Sequence, residues 1–307
     1  MHQMIEVYTD DNIDISGGAA VALGCFDALH IAHTALIRSC VNYAHENGYR
    51  AGVVMFDERP ECVLRGKLYD DSILTNEAKY PILESVGVDF VYIKRFRSIV
   101  GEDARHFIEL MLSALDIKAM FAGFHYHFGK AASGDAEMLR QLGTEMGFDV
   151  EIMEPVMIGD TIVSSTHVRK LIKLGDVENA AIFLGREFSL CGSVYKDRGV
   201  GRSIGIPTAN LVLTDGIILP AFGVYATMVA VDGERYAGVT NVGVRPTFGL
   251  DKPTVETYIL DFDGDIYGKE ISVSFCRRIR NEITFANKSE LMAQIEKDIF
   301  EASNALK

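Results

Sequence analysis

The first half of the chain alternates short apolar runs with stretches whose apolar residues recur every three or four positions. Runs such as Ala19–Phe26 and Ala51–Phe56 predict buried strands, and the stretch between them predicts a helix from about Thr34 to Glu46, stopped by Asn47-Gly48. Strands separated by helices predict a parallel sheet with helices on both faces, which is a Rossmann-like α/β fold. Further along we expect a helix from Thr75 to about Ser85, a strand Phe90–Ile93, a helix near Asp103–Leu115, a strand Ala119–Gly123, a helix near Asp135–Met146 and a strand Asp149–Met153.

The pattern changes from Cys191 onward, where short stretches rich in Val, Tyr, Phe and Thr are separated by Gly and Asp turns. The pairs Asp232-Gly233 and Asp263-Gly264 predict hairpin turns. Regularly spaced short strands predict an antiparallel Greek-key β-barrel, which the amphipathic helix Ser289–Ala305 can cover on one face. The clearest strands are expected at Gly223–Val231, Glu234–Asn241, Val255–Phe262 and Glu270–Ile279.

Two short helices, one begun by Ser165 or Thr166 and one by Asp176, lead to a break at Leu184-Gly185. A chain of 307 residues fits two domains comfortably. We therefore expect an α/β domain over residues 1–184 and a β-barrel domain over residues 185–307.

Composition narrows the classes of function. The net charge of −13 argues against nucleic acid as the main partner. No apolar run is long enough to cross a membrane, and Met1–Asp14 lacks the basic residues of a signal peptide. Five scattered cysteines without a CxxC pair indicate reduced thiols, as in the cytoplasm. These features favour a cytoplasmic protein that acts on small molecules, and they leave the oligomeric state open.

A glycine-rich segment, Gly192 to Asn210, has the features that phosphate binding needs, although it matches neither GxGxxG nor GxxxxGK[ST]. Its glycines allow close approach of the backbone to phosphate oxygens, and an arginine adds positive charge. Thr208 and Asn210 point the same way in an extended chain and offer oxygen ligands to Mg²⁺. The alternative is a glycine-rich hairpin with ordinary turn residues. The candidate ATP-binding residues are Gly192, Gly199, Gly201, Arg202, Gly205 and Pro207.

The segment closely resembles the GxV…GR…GxPTAN signature of riboflavin kinases, except that Asp197 stands where that family usually has glycine. The resemblance continues through Phe222–Tyr225, Asn241–Phe248 and Asp265–Gly268 and covers essentially the whole second half. It implies that Thr208 and Asn210 position Mg-ATP and that Glu256 takes the proton from the 5′-hydroxyl of riboflavin. The flavin contacts that it implies are Asn241, Arg245 and Arg280.

A second candidate site is the segment Gly24 to His33, at the junction of a predicted strand and helix. His30 and His33 are three residues apart, so both can face a phosphate at the helix N-terminus. Such a pair can stabilise the transition state of transfer at an α-phosphate. Two alternatives are a metal site of Asp27, His30 and His33, which lacks a fourth ligand, and one capping plus one surface histidine.

This segment resembles the first motif, GxFDGxHxGH, of the FMN adenylyltransferase half of bifunctional bacterial FAD synthetases. The stretch Ser164–Arg169 resembles that family's SSTxxR. The resemblance implies catalysis by His30 and His33. The ATP-binding residues that it implies are Gly24, Phe26, Asp27, Ser164, Ser165, Thr166 and Arg169.

Four positions depart from this adenylyltransferase pattern. Ala28 and Ala32 replace two glycines, His125 replaces an aspartate that the family carries in GxDFxFG, and His167 replaces a frequent arginine. His125 and His127 could also share a strand face as a metal site.

We expect an enzyme that converts riboflavin and ATP into FMN and ADP, and then FMN and ATP into FAD and pyrophosphate, with Mg²⁺ required for both steps. A riboflavin kinase with a degenerate α/β domain is the first alternative. A non-catalytic flavin-binding regulator is the second, and intact Thr208, Asn210 and Glu256 argue against it.

Overall fold

The computed structural model describes residues 4–10, 13, 15, 17–66, 71–196, 206–247 and 250–307, with the backbone alone for 245–247 and 250–252. The chain divides into two units, Met1–Ser165 and Thr166–Lys307. The domain boundary that we expect after residue 184 stays a prediction.

A parallel six-stranded sheet, in the order β1-β4-β3-β2-β5-β6, forms the centre of the first unit. Strand β2 is buried along its whole length, because helices cover both faces of the sheet. The Rossmann-like α/β prediction is therefore confirmed. The strands are β1 (Glu6–Thr9), β2 (Ala19–Leu23), β3 (Arg50–Phe56), β4 (Phe90–Lys94), β5 (Ile117–Gly123) and β6 (Asp149–Met153).

Helices pack on the two faces of this sheet and form two hydrophobic cores. Thr75, Asp103 and Asp135 cap three of these helices at the predicted starts, since each side chain accepts a hydrogen bond from the backbone N–H three residues later. The helices are α1 (Ile31–Glu46), α2 (Pro60–Arg65), α3 (Asn76–Val86), α4 (Phe96–Ile99), α5 (Ala104–Ala114) and α6 (Ala136–Met146), followed by a small hairpin of β7 (Met157–Ile158) and β8 (Thr161–Ile162).

A closed antiparallel barrel dominates the second unit, with the strand order β10-β13-β12-β11-β14-β9. Strand β10 lies beside β13 rather than β11, which is the Greek-key arrangement that we predicted. The elements are α7 (Ser165–Leu174), α8 (Val177–Leu184), β9 (Phe188–Tyr195), β10 (Ala209–Val212), β11 (Gly223–Val231), β12 (Glu234–Thr247), β13 (Leu250–Ile259), β14 (Glu270–Arg280) and α9 (Lys288–Ala305).

One of the two predicted hairpin turns is correct and the other is wrong. Asp232 and Gly233 both have positive φ angles, 51° and 86°, and join the paired strands β11 and β12. Asp263-Gly264 joins strands that do not pair, because β13 lies between β10 and β12 whereas β14 lies between β11 and β9. A turn signal is local, but the choice of strand partner is set by the whole barrel.

The barrel interior contains a ladder of three fully buried threonines, Thr227, Thr240 and Thr257. The Oγ1 atom of Thr240 lies 2.8 Å from that of Thr227 and 2.9 Å from that of Thr257. The hydroxyls therefore satisfy one another in an otherwise apolar core. On the outer face, helix α9 packs through Ala302 against apolar residues of β11 and β12.

Candidate active sites

The first candidate site lies at the carboxyl edge of the parallel sheet. Strand β2 pairs with both β3 and β5. After β2 the chain adds β3 and β4 on one side of it and then β5 and β6 on the other side, so the strand order reverses at β2. Ligands of open parallel sheets bind at such a switch point, beyond the carboxyl ends of the strands. The fold therefore brings the segment Gly24–His33, which follows β2, to the same edge as the segment Phe124–Gly129, which follows β5.

His30 is the N-cap of helix α1. Its Nδ1 atom accepts a hydrogen bond of 3.2 Å from the backbone N–H of His33, and its side chain is almost completely buried. Because Nδ1 accepts, the ring proton must lie on Nε2, so His30 can donate only from that atom. The cap thus orients the imidazole and also fixes its tautomer.

The imidazole rings of His30 and His33 are stacked, with centroids 3.6 Å apart and an interplanar angle of 21°. The ring of Phe26 meets His33 edge-on at 5.1 Å. Two imidazolium cations at the stacking distance would repel each other. The pair is therefore suited to a site in which a bound anion offsets the charge that one of them carries.

The backbone before helix α1 is strained. Phe26 and Leu29 have φ angles of 47° and 41°, which are uncommon outside glycine. Ala28 and Ala32, by contrast, both avoid positive φ, and Ala32 lies in regular helix. The two alanines that replace family glycines therefore introduce no left-handed strain. Apart from that of His33, which donates to His30, the backbone N–H groups of the first turn of α1 face the same end of the helix and can bind an anion.

The metal alternatives find no support in this unit. Among the described residues, no group of three or more His, Cys, Asp and Glu side chains could hold a metal ion, and this includes Asp27 with His30 and His33. Asp27 is buried and accepts a hydrogen bond of 3.1 Å from the backbone N–H of Ile73. His125 and His127 are exposed and follow β5 in a turn and loop, so the idea that they share a strand face is wrong.

The SSTxxR stretch lies at the start of helix α7. Ser164 precedes the helix, Ser165 begins it, Thr166 is exposed, and Arg169 follows within the first two turns. His167, which departs from the family pattern, packs against Phe183 with ring centroids 4.5 Å apart. The ATP-binding role of these residues stays a prediction.

The second candidate site is a row of polar side chains across three barrel strands. Glu256 on β13 pairs with Asn210 on β10 and with Asn241 on β12. Directly paired residues in antiparallel strands have side chains on the same face, with Cβ atoms about 5 Å apart. Glu256 alternates with the buried Val255 and Thr257, so this row lies on the outer face of the barrel. The strand register thus brings together three residues that are up to 46 positions apart in sequence.

Thr208 immediately precedes β10, and its backbone carbonyl accepts a hydrogen bond of 3.4 Å from Asn210 Nδ2. This bond directs Asn210 Nδ2 toward the Thr208 carbonyl, so Oδ1, on the other branch of the amide, points away from that carbonyl. A threonine hydroxyl and an amide oxygen on the same side of an extended chain form an oxygen donor set, which suits a hard cation. Pro207 is exposed beside them.

Of the other residues predicted for the kinase loop, only some belong to the described part of the chain. Gly192 lies in β9, where a side chain would collide with the carbonyl oxygen of Val212, so the barrel itself requires glycine there. The predicted residues that lie outside the described part are Gly199, Gly201, Arg202, Gly205 and the side chain of Arg245.

Arg280 lies on the same outer face, but its guanidinium is occupied by a bidentate ion pair with Asp298 of helix α9, at 2.9 and 2.7 Å. Asp298 is 2% exposed and also accepts a hydrogen bond from Gln294. Arg280 therefore fastens α9 to the barrel, and its predicted flavin contact stays a prediction.

Two residues beside these sites escaped the sequence interpretation. A side chain at Gly243 would collide with Glu282 Oε1 and would also come within 3.3 Å of Asn241 Nδ2, so Glu282 borders the polar row. Lys79 is buried and bonded to the first motif. The helical periodicity of the sequence could have indicated that Lys79 is buried, because Lys79 is one turn before Leu83 on the buried face of α3.

Comparison with known proteins assigns both halves. Residues 12–167 match the family described as FAD synthetase, and residues 184–306 match the family described as riboflavin kinase. The protein of Listeria monocytogenes named bifunctional riboflavin kinase/FMN adenylyltransferase is 34% identical over 95% of this chain and 93% of its own length. The chain belongs to the bifunctional riboflavin kinase/FMN adenylyltransferase family.

Other comparisons cover the same span. The Bacillus subtilis bifunctional riboflavin kinase/FMN adenylyltransferase is 34% identical over 92% of this chain and 91% of its own. A crystal structure described as a macrolide-efflux protein from Streptococcus pneumoniae has a TM-score of 0.89 at 30% identity, covering 98% of this chain and 99% of that one. Within the described part of the chain, no helix is long and apolar enough to cross a membrane.

Family membership confirms the prediction of a bifunctional enzyme. Both matched families and the bifunctional relatives support riboflavin kinase and FMN adenylyltransferase activity, with ATP and flavins as substrates. The adenylyltransferase match extends through residue 167 despite the four departures.

Proposed function

We propose that the polar row Asn210, Glu256 and Asn241 is where the barrel transfers the γ-phosphoryl group of ATP to riboflavin. The Glu256 carboxylate takes the proton from the ribityl 5′-hydroxyl as its oxygen attacks the γ-phosphorus. The bond from that phosphorus to the ADP oxygen breaks, and FMN and ADP result. The observation that carries the proposal is the register that pairs Glu256 with Asn210 on one side and Asn241 on the other.

Thr208 and Asn210 would hold Mg²⁺ together with ATP. Their hydroxyl and amide oxygens are the ligands that this ion prefers, and the bond from Asn210 Nδ2 to the Thr208 carbonyl orients the amide. When bound, Mg²⁺ would offset the negative charge of the phosphates. Positioning and charge stabilisation dominate phosphoryl transfer, so these two residues would act mainly by holding ATP beside Glu256.

Glu256→Gln tests the kinase assignment. The amide keeps the size of the side chain but cannot accept the proton, so we expect FMN formation to fall by roughly 100-fold or more while riboflavin still binds. Glu270→Gln makes the same change at an exposed barrel position and should leave FMN formation intact. If Glu256→Gln formed FMN at nearly the wild-type rate, Glu256 could not be the catalytic base.

We further propose that the N-terminus of α1 is where FMN is adenylylated. The FMN phosphate attacks the α-phosphorus of ATP, and pyrophosphate leaves. His30 would donate from Nε2 to a phosphate oxygen. The stacked His33 would supply positive charge that offsets the negative charge developing on that phosphate. The capped and buried geometry of His30 supports this role. The unstrained backbone of Ala28 and Ala32 supports an active site despite the lost glycines.

We place both reactions in the cytoplasm. The five cysteines all fall within the described residues and are free thiols, which fits a reducing compartment. Loss of activity on mild thiol reduction would contradict this placement.

A further inference from the structure

A buried lysine lies beneath the first motif of the adenylyltransferase unit. Lys79, in the first turn of α3, is only 6% exposed. Its Nζ atom donates to the backbone carbonyl of Cys25 at 3.4 Å and to Asn76 Oδ1 at 3.0 Å. Lysine is almost never this buried unless its ammonium group has a specific partner.

The carbonyl that Lys79 holds belongs to the strained part of the motif. Cys25 directly precedes Phe26, whose φ angle is 47°, and the second left-handed residue, Leu29, directly precedes His30. Strained conformations of this kind persist only when the surroundings over-determine them. Lys79 fixes the start of this turn, and the bond from Ile73 to Asp27 fixes its middle.

The charge of Lys79 also belongs to this arrangement. Burial lowers the pKa of Lys79, and the nearby Asp27 carboxylate opposes that shift by favouring the ammonium form. The charged form of Lys79 is thus favoured by a side chain of the same turn that its Nζ atom holds. An apolar residue would fill the space as well, without the cost of burying an ammonium group.

We propose that Lys79 is a positioning residue for adenylyl transfer: it holds the Cys25 carbonyl and so sets the Phe26–Leu29 backbone that presents His30. Lys79 acts through the backbone and contacts neither nucleotide nor flavin. This inference rests on the proposed role of His30 in FMN adenylylation.

The test compares full-length variants with FMN and MgATP as substrates. For Lys79→Met, which keeps the length and loses the donor, we expect kcat for FAD formation to fall roughly 10- to 100-fold, since small misplacements of catalytic groups cost this much. KM for ATP should change far less, because Lys79 does not bind ATP. Lys79→Arg, which keeps charge and donors, should recover part of the loss. Lys118→Met makes the same substitution at a half-buried lysine of the same unit, whose Nζ atom pairs with Asp116 away from the motif, and should behave as wild type.

Riboflavin kinase activity and thermal melting of each variant serve as internal controls, because the kinase lies in the other unit. If Lys79→Met does not fold, Lys79→Leu is judged by the same rates. Wild-type kcat in a folded variant would overturn the proposal, as would a loss confined to KM. Should the wild-type chain itself make no FAD, the adenylyltransferase assignment would fail instead, and this is distinguishable from normal FAD formation by a Lys79 variant.

Discussion

Substitutions of His30 can separate its structural role from its proposed catalytic role. Its Nδ1 atom caps helix α1, while its Nε2 atom is the proposed donor to phosphate. Asparagine is among the best N-cap residues, so His30→Asn keeps the cap and removes the imidazole, whereas His30→Ala removes both. The two variants therefore have different effects on stability but the same chemical defect.

The expected magnitudes follow from this geometry. Loss of the cap in His30→Ala should cost about 1 kcal/mol, and His30→Asn should cost much less. A domain with a stability of at least about 5 kcal/mol would still be more than 99% folded after such a loss, so unfolding cannot explain a large fall in rate. Removal of one preorganised donor to a developing negative charge costs about 100- to 1,000-fold in kcat. We expect a loss of this size in both variants.

The assay follows FAD formation from FMN and ATP and, with the same preparation, FMN formation from riboflavin. Only the first rate should fall, and thermal melting should separate the alanine variant from the asparagine variant. His30→Asn with wild-type FAD formation would refute the reasoning and leave His30 as a capping residue alone.

Three further substitutions test other parts of the structure. Thr240→Val leaves the two flanking buried hydroxyls without their shared partner and should cost about 2 kcal/mol or more in urea unfolding, whereas a triple valine variant of the ladder should lose less; a triple variant less stable than the single one would contradict this. Asp298→Ala leaves the Arg280 charge half-buried and should destabilise the second unit by about 3 kcal/mol or more; unchanged melting would show that the ion pair does not hold α9. Ala32→Gly should lower stability by about 1 kcal/mol without raising the rate of FAD formation; a clear rise in rate would mean that the methyl group crowds the nucleotide.

Much of the α/β half could be predicted because its signals are local. Thr75, Asp103 and Asp135 are capping residues in front of amphipathic segments, and strand β6 has the predicted limits. The missed elements are short or lie at an edge: β1 has four residues, and α2 and α4 have six and four. Such segments owe their structure to tertiary packing rather than to their own periodicity.

The barrel has features that local sequence signals did not predict. Strand β12 continues through Pro246 to Thr247, although a proline usually marks the end of a strand, and β13 begins five residues before the predicted Val255. The residue types of the proposed kinase site were evident from the sequence. The pairing of Glu256 with Asn210 and Asn241 depends on the register of three strands, which no single segment encodes.

The same distinction between local and long-range information applies to the proposed adenylyltransferase site. The histidine pair was evident as a motif at a helix start, but the sequence could not tell that His30 caps the helix while its ring stacks on His33. Lys79 is separated from Cys25 by 54 positions, so its proposed role depends on how the fold brings α3 to the segment that follows β2.

One measurement tests most directly whether this single chain performs both reactions. Full-length protein is incubated with riboflavin, ATP and Mg²⁺, and the flavins are resolved by chromatography at successive times. We expect FMN to appear first and FAD to follow, with pyrophosphate released in step with FAD. Accumulation of FMN without FAD would contradict an active adenylyltransferase site, and unchanged riboflavin would contradict the kinase site as well.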